Sequence, residues 1–119
     1  YFSPIEYERC CVRVADMMVA NPHIKGIAVP SWWYDPQLGK ISPEMAFLLD
    51  VPKAGGARFM VLEGYNRYLL SDALAHSPLR KAAHEAGAYD PKSIMMVWPR
   101  AAIIAWANRE RARIFADQK

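Results

Sequence analysis

A run of strand-forming residues that passes almost directly into a helical pattern is the feature that most constrains the fold of this chain. Residues 57–62, ARFMVL, have the composition of a buried strand, and residues 66–75 show helical spacing of apolar side chains. Only Glu63, Gly64 and Tyr65 separate the two patterns. The stretch therefore predicts a strand that becomes a helix over a very short turn.

Other segments in the N-terminal half also predict regular structure. Residues 46–51, AFLLDV, and residues 57–62 flank a Gly-Gly turn and predict a β-hairpin. Residues 10–17, CCVRVADM, begin with β-branched alternation and predict a short strand that runs into a turn. Residues 27–44 contain three prolines and predict an irregular loop after a short strand.

The C-terminal half is predicted to be largely helical. Ser77-Pro78 has the pattern of an N-cap followed by proline and predicts a helix to about residue 86, whereas residues 93–98, SIMMVW, predict a buried strand. Pro99 opens a last helix in which three apolar residues share one face: Ile103, Ala107 and Ile114. The order of elements is that of a compact α+β domain. Since the chain has 119 residues and no linker, we expect a single domain over residues 1–119.

The net charge of +3 is concentrated at the C-terminus. Residues 1–98 contain ten Lys and Arg against ten Asp and Glu, whereas residues 99–119 contain five basic residues against two acidic ones. Arg109 and Arg113 lie one helical turn apart, which suits contact with a DNA backbone without readout of base sequence. Solvated arginines on a surface helix explain the same pattern.

The composition excludes several classes of protein. Cys10 and Cys11 are adjacent, so a disulfide framework is excluded, and the three scattered histidines do not give the ligand spacing of a zinc site. No apolar run approaches the roughly 20 residues that span a bilayer. We therefore expect a reduced, cytoplasmic protein. Because the chain begins at Tyr1 rather than at methionine, we also expect it to be trimmed, and a targeting segment could precede it.

The turn at the start of the predicted helix has the residues of a phosphate site. A helix start leaves backbone N–H groups unpaired, and these groups favour an anion. Gly64 lets the backbone approach a ligand closely, and Arg67 can offer a bidentate guanidinium to phosphate. Asn66 can cap the helix or bind the ligand. Glu63, at the end of the strand, is placed to act as a base or to help hold a metal.

A purely structural interpretation of the same turn stays open. In that case Gly64 makes a tight turn and Asn66 caps the helix, while Glu63 and Arg67 are solvated or pair with each other. The pattern E-G-x-N-R is short and unlike a Walker A loop. The residues of the turn alone therefore leave both interpretations possible.

Side chains elsewhere could add to such a site. Tyr65 is a candidate for stacking on a nucleotide base, and Arg80, Lys81 and His84 on the second helix could border a phosphate track or form a solvated face. The histidines show no ligand spacing and are more often surface residues than catalysts. In the WWY cluster, residues 32–34, one ring could stack on a base or a partner, although burial against a sheet edge is the commoner outcome.

The segment VLEGYNRYLLSDAL, residues 61–74, resembles the signature of the ParB/sulfiredoxin superfamily. That signature is a strand, an acidic or small residue, glycine, one variable residue, His, Asn or Glu, then arginine and an amphipathic helix. The surrounding segments also resemble the superfamily. Its opening strand and turn resemble VRVADM, and the hairpin before its motif resembles AFLLDV–PKAGG–ARFMVL. The strand after its motif helix resembles SIMMVW. The resemblance implies a compact α+β domain with a small mixed sheet, a hairpin and flanking helices.

The resemblance also implies roles for individual residues. In the superfamily the glycine–polar–arginine turn binds phosphate, so Gly64 would be the close-approach glycine, Asn66 the polar contact and Arg67 the phosphate clamp. Sulfiredoxins have their catalytic cysteine where this chain has Tyr65, so sulfinic-acid repair is not expected. The chromosome-partitioning members have a Gly-Glu-Arg-Arg version followed by a helix-turn-helix domain, which does not fit into the residues that remain here. A free-standing, enzyme-like member is therefore expected.

Small plasmid-encoded members, fertility-inhibition proteins among them, are associated with ATPase and DNase activity. The resemblance thus implies a hydrolase that acts on ATP or another nucleotide with Mg²⁺, in which Glu63 is the base or the Mg²⁺ ligand and Arg67 stabilises developing charge. DNA would be contacted by four basic residues: Arg80, Lys81, Arg109 and Arg113. The sequence shows no acidic cluster of a two-metal nuclease. This weakens the prediction of DNA cleavage more than the prediction of DNA binding. The alternative is a non-catalytic nucleotide- or DNA-binding module that inhibits a protein partner, such as a component of conjugation or type IV secretion.

Overall fold

The computed structural model describes residues 3–63 and 67–117, except for the side chains of Arg67 and Tyr68. Within these ranges there are six α-helices and a three-stranded antiparallel sheet. The helices are α1 (Pro4–Ala20), α2 (Pro36–Ile41), α3 (Phe47–Ala54), α4 (Arg67–Leu74), α5 (Pro78–Glu85) and α6 (Arg100–Ile114). The strands are β1 (Gly26–Ser31), β2 (Arg58–Val61) and β3 (Ile94–Pro99), in the order β1–β3–β2.

The α+β class is confirmed, although the sheet is antiparallel rather than mixed. The strand–helix succession of β2 and α4 has the predicted positions, and so do α5, β3 and α6. The Ser77 hydroxyl accepts the backbone N–H of Arg80 at 3.2 Å, which is the cap expected at the start of α5. On α6 the three residues predicted to share an apolar face are all buried: Ile103, Ala107 and Ile114.

The strand predicted over residues 10–17 is wrong, because these residues lie inside α1. The hydroxyl of Ser3 caps this helix by accepting the backbone N–H of Glu6 at 3.3 Å. The buried face recurs at helical spacing along its whole length: Tyr7, Cys11, Val12, Ala15 and Met18. The β-branched alternation is a short local pattern, whereas the helical period extends over the whole of α1.

The predicted β-hairpin over residues 46–62 is also wrong. Its second half is β2, but its first half is the helix α3, which includes Pro52. The Gly-Gly pair ends this helix instead of turning a hairpin. Gly56 has a φ of 89°, and the N–H of Ala57 bonds to the carbonyl of Pro52 at 2.9 Å, as in a Schellman motif. A short apolar run before Gly-Gly fits a buried helix turn as well as a strand.

Residues 27–44, predicted as a short strand followed by an irregular loop, contain more regular structure than expected. β1 occupies the start as predicted, but a 3₁₀ turn at Trp32–Tyr34 and the helix α2 follow, with a second 3₁₀ turn at Pro43–Met45. Proline begins α2 and the second turn, which is where its missing N–H costs nothing. Pro36 and Pro43 therefore mark helical starts rather than a loop, whereas Pro30 lies in β1.

The described chain groups into two units by backbone packing. In the first (residues 3–28, 50–58 and 97–117), α1 packs on α6, and the rings of Trp98 and Trp106 lie 5.2 Å apart. The indole N–H of Trp98 donates to the carbonyl of Gly55 at 2.9 Å. In the second (residues 29–49 and the described part of 59–96), α5 packs on α2 and α4. The candidate site lies entirely within this second unit.

Candidate functional site

The predicted phosphate turn lies partly outside the described residues. β2 ends at Val61 and α4 begins at Arg67, so the strand and the helix bracket the turn as expected. Gly64, Tyr65 and Asn66 fall outside the described residues, as does the side chain of Arg67. Their contacts with phosphate therefore stay predictions. Glu63 lies within the described residues and is exposed just after the end of β2.

An open cavity of about 630 Å³ lies beside Glu63. Because β2 and β3 are antiparallel neighbours, the residues that follow β2 lie beside those that precede β3, and the N–H of Leu62 donates to the carbonyl of Ser93 at 2.9 Å. The wall consists of residues 61–63 and 90–93 with three side chains from α4 and α5: Leu69, Leu70 and His84. Its volume falls in the range of small-molecule sites, roughly 300–1,000 Å³.

The lining combines apolar surface with a few ionisable groups. Leucine, valine and proline form the apolar part: Val61, Leu62, Leu69, Leu70 and Pro91. Glu63, His84, Asp90 and Lys92 supply the ionisable groups. Lys92 Nζ lies 3.2 Å from a carboxylate oxygen of Asp90, and both side chains are at least half exposed. Such exposed ion pairs are weak, so a phosphate group can compete with Asp90 for the lysine.

A buried carboxylate holds the wall that carries Asp90 and Lys92. Asp35 is 3% exposed, and one of its oxygens caps α2 by accepting the N–H of Gln37 at 3.0 Å. The other oxygen accepts the backbone N–H of Lys92 at 3.0 Å. The side-chain amide of Gln37 donates to the backbone carbonyl of Asp90 at 2.8 Å, and its oxygen accepts the backbone N–H of Asp90 at 3.2 Å. These bonds fix the backbone of residues 90–92.

Tyr89 anchors the start of the same wall. Its side chain is buried, and burial raises the pKa of the phenol to about 12, with the charge of Asp35 adding to the effect. Within residues 3–63 and 67–117 the buried hydroxyl has no hydrogen-bond partner. Tyr89 thus holds the segment through packing rather than through its hydroxyl.

The carbonyl of Tyr89 orients His84. The ring Nδ1 lies 2.9 Å from this oxygen, and the ring is half-buried in the cavity wall. Because a carbonyl oxygen only accepts hydrogen bonds, Nδ1 carries the hydrogen. The remaining nitrogen, Nε2, is then the one that can accept or release a proton in the cavity.

Arg80 is buried, although it was predicted to be an exposed contact for DNA. It is 7% exposed, its Nε donates to the carbonyl of Ala73 at 2.6 Å, and a terminal nitrogen donates to the Ser42 hydroxyl at 3.1 Å. Its guanidinium also lies over the ring of Trp32, 5.3 Å from the ring centre. These contacts occupy most of the guanidinium that was predicted to meet DNA, and a DNA contact by Arg80 stays a prediction. Lys81, the next residue, is exposed.

The basic residues of α6 are partly neutralised by acidic neighbours. Arg113 donates to the carboxylates of Glu8 and Glu110, and the bond to Glu8 contributes most to raising its pKa. Arg111 pairs with an acidic residue of α1. The side chain of Arg109 is 59% exposed, and its Nε lies 3.9 Å from a carboxylate oxygen of Glu110. Arg109 therefore keeps the environment expected of a DNA contact better than Arg113 does.

Two further findings concern metals and membranes. Across the described ranges, no group of three or more His, Cys, Asp or Glu side chains could hold a metal ion together. Among the helices of residues 3–63 and 67–117, none combines the length and apolarity needed to cross a bilayer.

Comparisons with protein-family models, with curated proteins and with solved structures give no match to this chain.

Sequence reasoning missed several residues of the cavity and of the hydrogen bonds that hold its wall. Asp90 and Lys92 precede a predicted strand, and their proximity to Glu63 depends on the pairing of β2 with β3, which the sequence does not specify. Asp35 and Gln37 lie in a segment predicted to be an irregular loop. The Asp-Pro pair at residues 35–36 is the signal that could have identified a capped helix there.

Proposed function

We propose that this chain binds a nucleotide through its phosphates in the cavity at the β2–α4 turn, and hydrolyses it, in the cytoplasm. The observation that carries the proposal is the position of Glu63, which lines an open cavity of nucleotide size where a strand gives way to a helix start. The phosphates would lie against the N-terminus of α4, whose unpaired N–H groups favour anions.

Each part of the cavity suits one part of such a ligand. The apolar side, with Leu69 and Leu70, suits the flat faces of a base. Lys92 offers a cation to the phosphates, and Arg67, as the first residue of α4, is the predicted clamp on them. Glu63 serves as the base or as a ligand of Mg²⁺.

Mg²⁺ fits the kinds of group that are present. It usually takes one or two protein carboxylates and completes its shell with phosphate oxygens and water, so the carboxylate of Glu63 is a sufficient protein contribution. When bound, the ion would neutralise negative charge on the phosphates.

Membership of the ParB/sulfiredoxin superfamily is a further part of the proposal. β2, α4 and β3 have the positions that the resemblance implies, whereas residues 10–17 and 47–51 are helical where it implies a strand and a hairpin. The nucleotide proposal is therefore based on the cavity rather than on likeness over the whole chain. Contact with DNA without sequence readout is proposed for Lys81 and Arg109, because both are exposed.

A non-catalytic inhibitor of a protein partner is the second candidate, and the edge of the sheet favours it. β2 is an edge strand in the order β1–β3–β2, and Met60 and Val61 on it are 57% and 58% exposed. An exposed apolar edge can accept a strand from another protein. The plasmid fertility-inhibition protein Osa, which acts in conjugation, is the superfamily member we propose as the pattern for such a function.

Phosphate release separates the two candidates. Mg²⁺-dependent release from ATP and from CTP is measured for the parent chain, Glu63→Gln and Arg67→Ala. We expect turnover by the parent and a loss of about 100-fold or more in Glu63→Gln, the size usual for a proton-transfer or charge-stabilising group. Arg67→Ala is expected to fold normally and to lose turnover as well.

Glu44→Gln is the matched control, because Glu44 is exposed and lies outside the cavity wall. Equal release from the parent and both cavity variants would refute catalysis at this turn. Tight nucleotide binding without turnover by the parent would instead select the inhibitor module.

A further inference from the structure

We propose that His84 is the proton-transfer residue of this cavity, and that it accepts a proton from the water that attacks the terminal phosphate of the nucleotide. The inference builds on the proposed function and assigns the role of base to His84, whereas the sequence analysis named Glu63 as the base or the Mg²⁺ ligand. It adds a residue that neither the turn motif nor its spacing indicates.

The hydrogen bond to Tyr89 sets the ring for this role. With Nδ1 donating to the Tyr89 carbonyl at 2.9 Å, the lone pair of neutral His84 is on Nε2. A base that is oriented by a hydrogen bond on its far nitrogen is the arrangement on which general-base histidines depend. The partner here is a backbone carbonyl, which fixes the tautomer without adding a negative charge.

Both ends of this hydrogen bond are held by buried residues. On α5, Arg80 lies one turn before His84, and its buried guanidinium bonds to the carbonyl of Ala73. On the other side, the buried ring of Tyr89 and the bonds of Asp35 and Gln37 to residues 90–92 fix the accepting carbonyl. An orienting group that is itself fixed by packing and hydrogen bonds is what precise proton transfer requires.

The reaction step balances with water as the only co-reactant. As the water oxygen forms a bond to the terminal phosphorus, Nε2 of His84 takes one of its protons. The bond from that phosphorus to the bridging oxygen breaks, and its electron pair leaves with the nucleoside diphosphate. The imidazolium then releases its proton to solvent, so the products are the diphosphate, inorganic phosphate and one proton. Glu63 is free to hold Mg²⁺ in this scheme.

The charged groups around His84 are of both signs. Glu63, Asp90 and Lys92 share the cavity wall with it, and Arg80 and Lys81 lie on its own helix.

His84→Gln tests the role, because the glutamine amide can still donate to the Tyr89 carbonyl but does not titrate. Phosphate release from ATP with Mg²⁺ is measured for the parent, His84→Gln and His23→Gln, with nucleotide affinity determined separately. We expect His84→Gln to lose about 100-fold or more in kcat and to keep its affinity. His23→Gln removes an exposed imidazole outside the cavity wall and should behave as the parent.

Each other result has a distinct meaning. Turnover by His84→Gln at the rate of the parent overturns the role of His84 and leaves the proposed function intact. A parent that binds nucleotide but shows no turnover at any pH overturns both hydrolysis and the role of His84. Loss of affinity in step with kcat would make His84 a binding residue and would also overturn proton transfer.

Discussion

Removal of the Asp35 carboxylate should destabilise the protein more than an ordinary helix cap would. Asp35→Ala removes the acceptor for the N–H of Gln37 at the start of α2, and such cap losses cost about 1 kcal/mol. It also removes the acceptor for the partly buried N–H of Lys92, and an unpaired N–H of this kind costs about 1–2 kcal/mol. The free energy of unfolding should therefore fall by about 2–3 kcal/mol.

Urea unfolding of the parent, Asp35→Ala and Asp35→Asn measures this loss. With a denaturant slope of about 1–3 kcal/mol/M, the midpoint for Asp35→Ala should shift by roughly 1–2 M while the slope stays unchanged. The asparagine side chain of the second variant keeps one acceptor oxygen in a group of the same shape, so we expect about half of that loss. A shift below about 0.3 M for Asp35→Ala, or an equal loss in both variants, would refute the hydrogen-bond reasoning.

Two more predictions concern buried side chains. Burial raises the pKa of the Cys11 thiol to about 12. At neutral pH an alkylating reagent should therefore modify the exposed Cys10 and leave Cys11 unmodified until the chain is unfolded. Mass spectrometry of the peptides measures the labelling, and equal labelling of both cysteines in the folded protein would contradict this prediction. Tyr89→Phe removes a buried hydroxyl that has no partner in the described residues, so urea unfolding should show a change of less than about 1 kcal/mol, whereas Tyr89→Ala should cost about 3–5 kcal/mol. A large loss in Tyr89→Phe would mean that the hydroxyl is bonded in solution.

Local patterns predicted the elements whose signals are complete within a few residues. Ser77-Pro78 identified the start of α5, and the strand–helix succession around Glu63 identified β2 and α4. The apolar face of α6 was visible as well, because its residues recur at helical spacing. Where capping, periodicity and composition agree, the sequence is sufficient to place an element.

Segments with competing local signals were predicted incorrectly. The apolar run at 46–51 has the length of a strand, but Gly56 at positive φ ends a helix there. At 10–17 the strand-like alternation is short, and the helical face becomes clear only over the whole of α1. Periodicity alone cannot separate a buried helix turn from a buried strand over six residues.

Only one side of the candidate site was predictable. Glu63 and the start of α4 come from one continuous segment, so the motif could identify them. The opposite wall depends on strand pairing and on hydrogen bonds between residues more than 50 positions apart, such as Lys92 to Asp35. Tertiary contacts of this kind leave no local signal, which is why His84 was predicted to lie at the surface or to border a phosphate track rather than to act as a catalyst.

The central claim is that the cavity beside Glu63 binds a nucleotide, and amide NMR tests it most directly. ATP with Mg²⁺ is titrated into the ¹⁵N-labelled chain, and the shift of each backbone amide is followed. We predict saturable shifts concentrated at residues 61–63, 69–70, 90 and 92–93 and at His84, all of which line the cavity. Saturable shifts confined to α6, or no shifts at millimolar ATP, would contradict the claim.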